Sequence, residues 1–237
     1  MPWLYDGGVE PRHALAARIW NIAKACLGKT KMEYSQGMPW LYVIESISLY
    51  MPETIRQEFI SHIKVAEKTM ERCALELAQA AEVCYDALKA GRKILLMGNG
   101  GSAADALHLA AEFTGRYQTQ RVGLAAIALN SDAAALTSIG NDFGFDMVFS
   151  RQVEALGRKG DVCIGLSTSG HSANVIRGLE RARIKGCKTI GFTGREGGNM
   201  PEVSDICIIV PSDITSRIQE MHLLMGHTLV HLVESRW

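Results

Sequence analysis

Two turns rich in glycine and hydroxyl side chains have the composition of phosphate sites. Each lies between an apolar run and a helix-like segment, and they read Gly98-Asn99-Gly100-Gly101-Ser102 and Ser167-Thr168-Ser169-Gly170-His171-Ser172. Glycines let the backbone approach an anion, serine hydroxyls donate hydrogen bonds, and a following helix N-terminus offers free N–H groups. For either turn alone, a tight strand-to-helix corner with a serine N-cap is the commoner explanation. The presence of both favours a phosphate-binding cleft at the carboxyl ends of parallel strands.

Several ligand and partner classes are disfavoured. The first turn lacks the Gly-Lys-Ser/Thr of a P-loop and does not fit Gly-x-Gly-x-x-Gly, so ATP and NAD are poor candidates. Lys plus Arg and Asp plus Glu number 25 each, which argues against nucleic acid or an anionic membrane as partner. No apolar stretch reaches the ~20 residues of a membrane span. Six cysteines without Cys-x-x-Cys spacing indicate buried thiols in a reducing compartment, hence a cytoplasmic protein.

His108 and Glu112 form a second candidate constellation. They are four residues apart after the first turn, so a helix would stack both side chains on one face. That geometry suits two metal ligands or an acid/base pair, although most such pairs are solvated helix contacts worth about a few tenths of a kcal/mol. The surrounding residues are mostly alanine and leucine. A carboxylate and an imidazole in such surroundings need partners.

The last predicted helix, which begins at 213–214 and ends near 233, offers those partners. Gln219 and His227 are eight residues apart, and therefore lie on roughly one side but about 12 Å apart along the axis. One compact site can hold both only if the side chains reach toward each other or two subunits contribute, which suggests an interfacial site. His222 and His231 lie off that line and are interpreted as packing or surface histidines.

The elements that must position these residues alternate along the chain. The spacing of apolar residues predicts two helices, over 55–66 and 70–88, and Gly91 ends the second. Strands are predicted at 93–98, 123–129, 161–167, 187–193 and 205–210. Helix-length segments between them require crossovers, which predicts an α/β fold with a parallel sheet covered on both faces.

The N-terminal segment does not fit this alternation. Residues 1–50 carry the repeat Met-Pro-Trp-Leu-Tyr at 1–5 and again at 38–42, which is too short for a solenoid. The segment is either an amphipathic extension or a by-product of duplication or an upstream start. We divide the chain into an extension of unknown role, 1–50, and one domain, 51–237.

Five motifs in that domain together resemble the sugar isomerase (SIS) family, and within it the bacterial phosphoheptose isomerases. Besides the two turns, the second extended through Ala173-Asn174-Val175, they are Thr114-Gly115-Arg116-Tyr117, Gly140-Asn141-Asp142-Phe143-Gly144 and Arg217-Ile218-Gln219-Glu220. The resemblance implies a three-layer sandwich with a five-stranded, flavodoxin-like parallel sheet plus N-terminal helices. The separation of Gln219 and His227, together with the apolar residues on more than one face of the last helix, predicts a homotetramer with active sites at subunit interfaces.

The resemblance further implies the chemistry. The expected reaction converts D-sedoheptulose 7-phosphate to D-glycero-D-manno-heptose 7-phosphate through an enediol, the first step of heptose supply for surface glycans. One Zn²⁺ per subunit would be held by His108, Glu112, Gln219 and His227, with Glu112 as general base and His227 as general acid. Substrate contacts would come from both turns, from a polar pair that lies between them in the chain, and from two of the metal ligands. These residues are Asn99, Gly100, Gly101, Ser102, Glu112, Asn141, Asp142, Ser167, Thr168, Ser169, Ser172 and Gln219.

Two other readings stay open. Similar SIS proteins include a non-catalytic tetramer that binds the replication initiator DnaA and lacks acid/base residues at the positions of Glu112 and His227, which this chain keeps. Another SIS enzyme, an arabinose 5-phosphate isomerase or an amino-sugar phosphate lyase, would lack the joint ligand set. Zinc content and an isomerase assay separate these possibilities.

Overall fold

The structure is a computed structural model, and it describes residues 53–237. The predictions made for residues 1–50, including the repeat and Cys26, lie outside the described residues. So does the proposed domain boundary near residue 50, which stays a prediction.

The first described element is a single helix, α1 (Glu53–Lys89), where two helices were predicted. The prediction was wrong because no glycine or proline interrupts the segment between Ala66 and Met70. The hydroxyl of Thr69, a residue type that can cap a helix, instead donates to the Val65 carbonyl within α1 (2.7 Å). The buried face of α1 runs through Val65, Thr69 and Cys73, while Met70 is exposed.

The remaining elements follow the predicted alternation of strands and helices. The strands are β1 (Ile94–Gly98), β2 (Ala126–Ala128), β3 (Val162–Ser167), β4 (Lys188–Gly194) and β5 (Ile206–Val210). The helices are α2 (Gly101–Thr114), α3 (Ala133–Phe143), α4 (Val148–Leu156), α5 (Ala173–Ile184), α6 (Met200–Val203) and α7 (Thr215–Glu234), with a 3₁₀ turn at Phe145–Met147.

One predicted strand is much shorter than expected. The segment 123–129 contributes only β2, Ala126–Ala128. The backbone N–H of Leu124 donates to the carbonyl of Phe113 at the end of α2 (3.0 Å), and so this part of the segment is bound to a helix and not to a neighbouring strand.

The five strands form one parallel sheet in the order β2-β1-β3-β4-β5. From β1 the chain continues to β2 at one edge of the sheet, and from β3 it continues to β4 and β5 at the other edge. The direction of the strand order therefore reverses between β1 and β3. In open α/β sheets such a reversal opens a crevice at the carboxyl ends of the strands. The two predicted phosphate turns follow β1 and β3 and therefore meet at this crevice.

Two apolar cores, one on each face of the sheet, complete a three-layer sandwich. Alternate strand residues face opposite sides, so Ile94 and Leu96 pack with α1, α2 and α7, while Leu95 and Met97 pack with α4, α5 and α6. The predicted fold class is confirmed. The cysteines within 53–237 are free thiols, as expected, and no helix in that range is long and apolar enough to cross a bilayer.

His222 is a fully buried histidine on α7. Its Nε2–H donates to the carbonyl of Thr193 at the end of β4 (3.0 Å), and its Nδ1 has no hydrogen-bond partner among the described residues. Burial lowers the pKa of His222 to about 4, against the opposing effect of the hydrogen bond to Thr193. The interpretation of His222 as a packing histidine is confirmed.

We predict that His222 makes the fold acid-sensitive. Its folded pKa of about 4 lies below the ordinary value of 6.5, so its stabilising effect is complete above pH 6.5 and is lost as the pH falls toward 4. Urea unfolding of the wild type and of His222→Gln, at pH values from 7 to 4, should show a difference in unfolding free energy that changes by roughly 3 kcal/mol over that range. A difference independent of pH would contradict this assignment.

Candidate active site

The two turns are joined across the crevice by a pair of asparagine side chains. Asn99, after β1, donates to Oδ1 of Asn174 (2.8 Å), and Asn174, in the first turn of α5, donates back to Oδ1 of Asn99 (2.9 Å). Asn130 supports the first turn from the other side, since its amide donates to the Gly98 carbonyl (2.8 Å). These reciprocal bonds fix the spacing between the turns.

The predicted phosphate-binding hydroxyls of the second turn lie at this edge. Ser167 and Ser172 share a hydrogen bond between their hydroxyls (2.9 Å), and Ser169 Oγ accepts the N–H of His171 (3.2 Å). Thr168 and Ser169 are partly exposed, as is Asn99, whereas Ser102 and Ser167 are buried. Neither Ser102 nor Ser172 caps its helix with its side chain. The Ser167 and Ser172 hydroxyls bond to each other and not to a helix N-terminus, and a hydroxyl in such a pair can also bond to a ligand at this edge.

His108, Glu112 and His227 form a compact cluster between α2 and α7. His108 Nε2 lies 3.2 Å from Glu112 Oε1 and 3.2 Å from His227 Nε2, and one ligand atom from each of the three residues fits within 4.8 Å. A tetrahedral zinc ion with bonds of about 2.0–2.1 Å holds its ligand atoms roughly 3.3 Å apart. The cluster therefore has the donor types of a zinc site, and two of its three separations are close to this spacing.

Gln219 reaches the same helix pair from one turn further toward the N-terminus of α2. Its amide hydrogen-bonds with Asp105, and a Cβ on Gly101 would lie 1.7 Å from its Nε2. The 12 Å rise between Gln219 and His227 suggested that two subunits share the site. Within one chain, Gln219 contacts Gly101 and Asp105 while His227 contacts His108, and the sharing of the site between subunits stays a prediction.

Asn141 and Asp142 are not brought into contact with these groups. They lie near the end of α3, where the Asn141 amide donates to Asp142 Oδ1 (2.8 Å) and both residues are exposed or partly exposed. Helix α3 buries none of its residues within the described chain. Their predicted role in substrate binding remains a prediction.

Three residues near the cluster had no predicted role. Asp105 is buried on the face of α2 that carries His108, and burial raises its pKa, against the hydrogen bond from Gln219 and the nearby histidines. Asp105 precedes His108 by three residues and Glu112 by seven, and this spacing could have indicated that it lies on the same helix face. Tyr117 stacks on His227, and Glu234 binds the loop that carries Tyr117, two contacts that no local sequence pattern encodes.

The comparisons with known proteins agree with this geometry. Residues 58–194 match the model of the SIS domain. The phosphoheptose isomerase of Aliarcobacter butzleri is 55% identical over 185 residues, which are 78% of this chain and 98% of that protein. The chain belongs to the phosphoheptose isomerase family. Among solved structures, the phosphoheptose isomerase of Neisseria gonorrhoeae superposes with a TM-score of 0.74 at 45% identity and covers 77% of this chain and 98% of its own. That of Francisella tularensis has a TM-score of 0.75 at 35% identity and covers 77% and 97%.

Gly101→Ala should disable the site without disturbing the fold. Only the flexible end of Gln219 obstructs the new Cβ, so we expect Gln219 to be displaced from the site and metal affinity to fall about 10–100-fold. Zinc binding is measured by titration of the chelated protein. In a Gln219→Ala background, Gly101→Ala should cause no further loss of metal affinity, because the Gln219 side chain is no longer there to be displaced. Equal losses in both backgrounds would contradict the steric explanation.

Proposed function

We propose that this protein interconverts D-sedoheptulose 7-phosphate and D-glycero-D-manno-heptose 7-phosphate, at the start of heptose supply for surface glycans. The observation that carries the proposal is the cluster of His108, Glu112 and His227 beside two hydroxyl-rich turns. The relatives named phosphoheptose isomerase support the same conclusion.

We propose one zinc ion per subunit as the cofactor. His108, Glu112 and His227 would hold it, together with the Gln219 side chain after a small movement along α2. Imidazole nitrogens with a carboxylate are a usual zinc donor set. When bound, the ion would stabilise negative charge on the substrate oxygens at C1 and C2.

Glu112 and His227 carry the proton transfers in this proposal. From the ketose, the Glu112 carboxylate removes a proton from C1, and the electron pair forms the C1–C2 double bond of the enediolate. His227 supplies a proton to O2 and later receives the proton of O1. Glu112 then returns its proton to C2, which leaves an aldehyde at C1. Positioned acid/base groups of this kind contribute about 10²–10⁴-fold each.

The two turns would bind the phosphate at the far end of the substrate. Ser167, Thr168, Ser169 and Ser172 would donate hydroxyls, and the backbone of 99–101 with Ser102 would line the opposite side. A phosphate held away from C1 and C2 lets binding energy orient the reacting carbons. In this proposal Asn141 and Asp142 would contact the sugar hydroxyls.

We also propose a cytoplasmic homotetramer whose active sites border subunit interfaces. Apolar side chains beside the cluster support this, since Leu107 on α2 and Leu224 on α7 are 42% and 50% exposed. Closed symmetry would bury such faces. The free thiols support a reducing compartment.

The alternative of a non-catalytic SIS tetramer that binds DnaA is not favoured. Such a protein needs no acid/base pair, whereas Glu112 and His227 lie in one cluster with His108. The other SIS enzymes we considered are likewise less well supported, because the relatives at 50–55% identity are named phosphoheptose isomerases.

Glu112→Gln and His227→Gln should each abolish turnover. Each removes a proton-transfer group, so we expect kcat to fall about 10²–10⁴-fold or more, while the fold and the binding of the substrate phosphate persist. Formation of the aldose heptose phosphate from sedoheptulose 7-phosphate, with zinc supplied, is the measurement, and circular dichroism is the control. Near-normal kcat in either variant would overturn the assigned roles.

A further inference from the structure

The loop after α2 places an aromatic ring on the candidate general acid. The Tyr117 ring stacks on the His227 imidazole, with centroids 5.4 Å apart and planes 19° from parallel. His108 contacts the same imidazole edge-to-face, at 4.9 Å between centroids. The orientation of His227 is thus set by the position of the loop that carries Tyr117.

That loop is held by one buried carboxylate. Glu234, in the last turn of α7, accepts the backbone N–H groups of Tyr117 (3.0 Å), Gln118 (2.7 Å) and Thr119 (3.1 Å). Glu234 lies seven residues, or two turns, after His227, and so it is on the same face of α7. Helix α7 therefore carries both the His227 imidazole and the Glu234 carboxylate, which fixes the loop whose Tyr117 ring stacks on that imidazole.

Arg121 joins this carboxylate to the end of α2. Its Nε lies 3.0 Å from Glu234 Oε1, and the two side chains are only 5% and 1% exposed. Its guanidinium also donates to the backbone carbonyls of Glu112 and Phe113, at 2.8 Å each. The same ion pair thus binds the backbone at the candidate general base.

Stability alone is a weak reason for this arrangement. A buried ion pair is often no more stabilising than apolar side chains of the same volume, because both charges lose their hydration. Here burial opposes ionisation of Glu234, but three backbone N–H donors and Arg121 outweigh it and lower its pKa. The carboxylate is therefore kept charged, with its hydrogen bonds directed at the Tyr117 loop and the end of α2.

We propose that Arg121 and Glu234 are positioning residues for proton transfer, acting on His227 through the Tyr117 ring and on Glu112 through its backbone. This inference rests on the proposed isomerase function. Neither residue touches the candidate metal ligands' side chains, so their effect is on the orientation of the acid and base and not on phosphate binding.

The test compares Glu234→Gln and Tyr117→Leu with two controls. Tyr117→Phe keeps the stacked ring, and Glu82→Gln removes a carboxylate from the ion pair with Arg236, whose side chains are 59% and 42% exposed. For each protein we measure kcat and KM for sedoheptulose 7-phosphate, the melting temperature, and the NMR shifts of the His227 ring protons, assigned with His227→Gln. The ring current of Tyr117 displaces those shifts in the wild type.

We expect Glu234→Gln and Tyr117→Leu to lose the displaced shifts and to lower kcat about 10–100-fold with KM little changed, while both controls behave as the wild type. A Glu234→Gln protein that melts earlier but keeps its kcat and His227 shifts would overturn the proposal. If that variant does not fold, Tyr117→Leu decides: retained kcat overturns the proposal. A wild type without isomerase activity would refute the proposed function, and the His227 shifts would still test the positioning.

Discussion

The close packing of α2 against α7 is the constraint on which the candidate site depends. Glycine permits it at two points: a Cβ on Gly101 would collide with Gln219, and a Cβ on Gly226 would lie 2.5 Å from Leu109. Between these points the two helices run in the same direction, so His108 meets His227. A side chain at Gly226 would press on Leu109 and separate the helices, whereas a side chain at Gly101 would displace only the end of Gln219.

The sheet contributes the second half of the site. Both α2 and α5 begin at the carboxyl edge of the sheet, directly after β1 and β3, and the reciprocal bonds of Asn99 and Asn174 join their first turns. One edge of the sheet thus presents the candidate phosphate-binding turns, while the flank of α2 carries the candidate acid/base groups. In the proposed reaction a sugar phosphate would be bound at one end and would react at the other, so that remote binding energy assists proton transfer.

Much of this arrangement was predictable, because it depends on local patterns. Alternating apolar runs and helical segments gave the parallel sheet, and the four-residue spacing of His108 and Glu112 placed them on one helix face. Helix α1 was predicted as two helices because apolar periodicity shows which residues share a helix face and does not show whether the helix is continuous. The contacts of Gln219, Tyr117 and Glu234 depend on how α7 docks on α2, more than 100 residues away in sequence for Tyr117 and Glu234. The rise of about 12 Å between Gln219 and His227 along α7 could not show that α2 lies beside α7 and offers each of them a contact.

We propose that Glu112 moves a proton between C1 and C2 of a ketose phosphate. The most direct measurement is to turn over sedoheptulose 7-phosphate in D₂O with zinc supplied and to locate deuterium in the product by NMR. We expect an aldose heptose phosphate whose solvent-derived deuterium is at C2, and none formed by Glu112→Gln. Absence of the aldose product, or deuterium at C2 with Glu112→Gln at the wild-type rate, would contradict it.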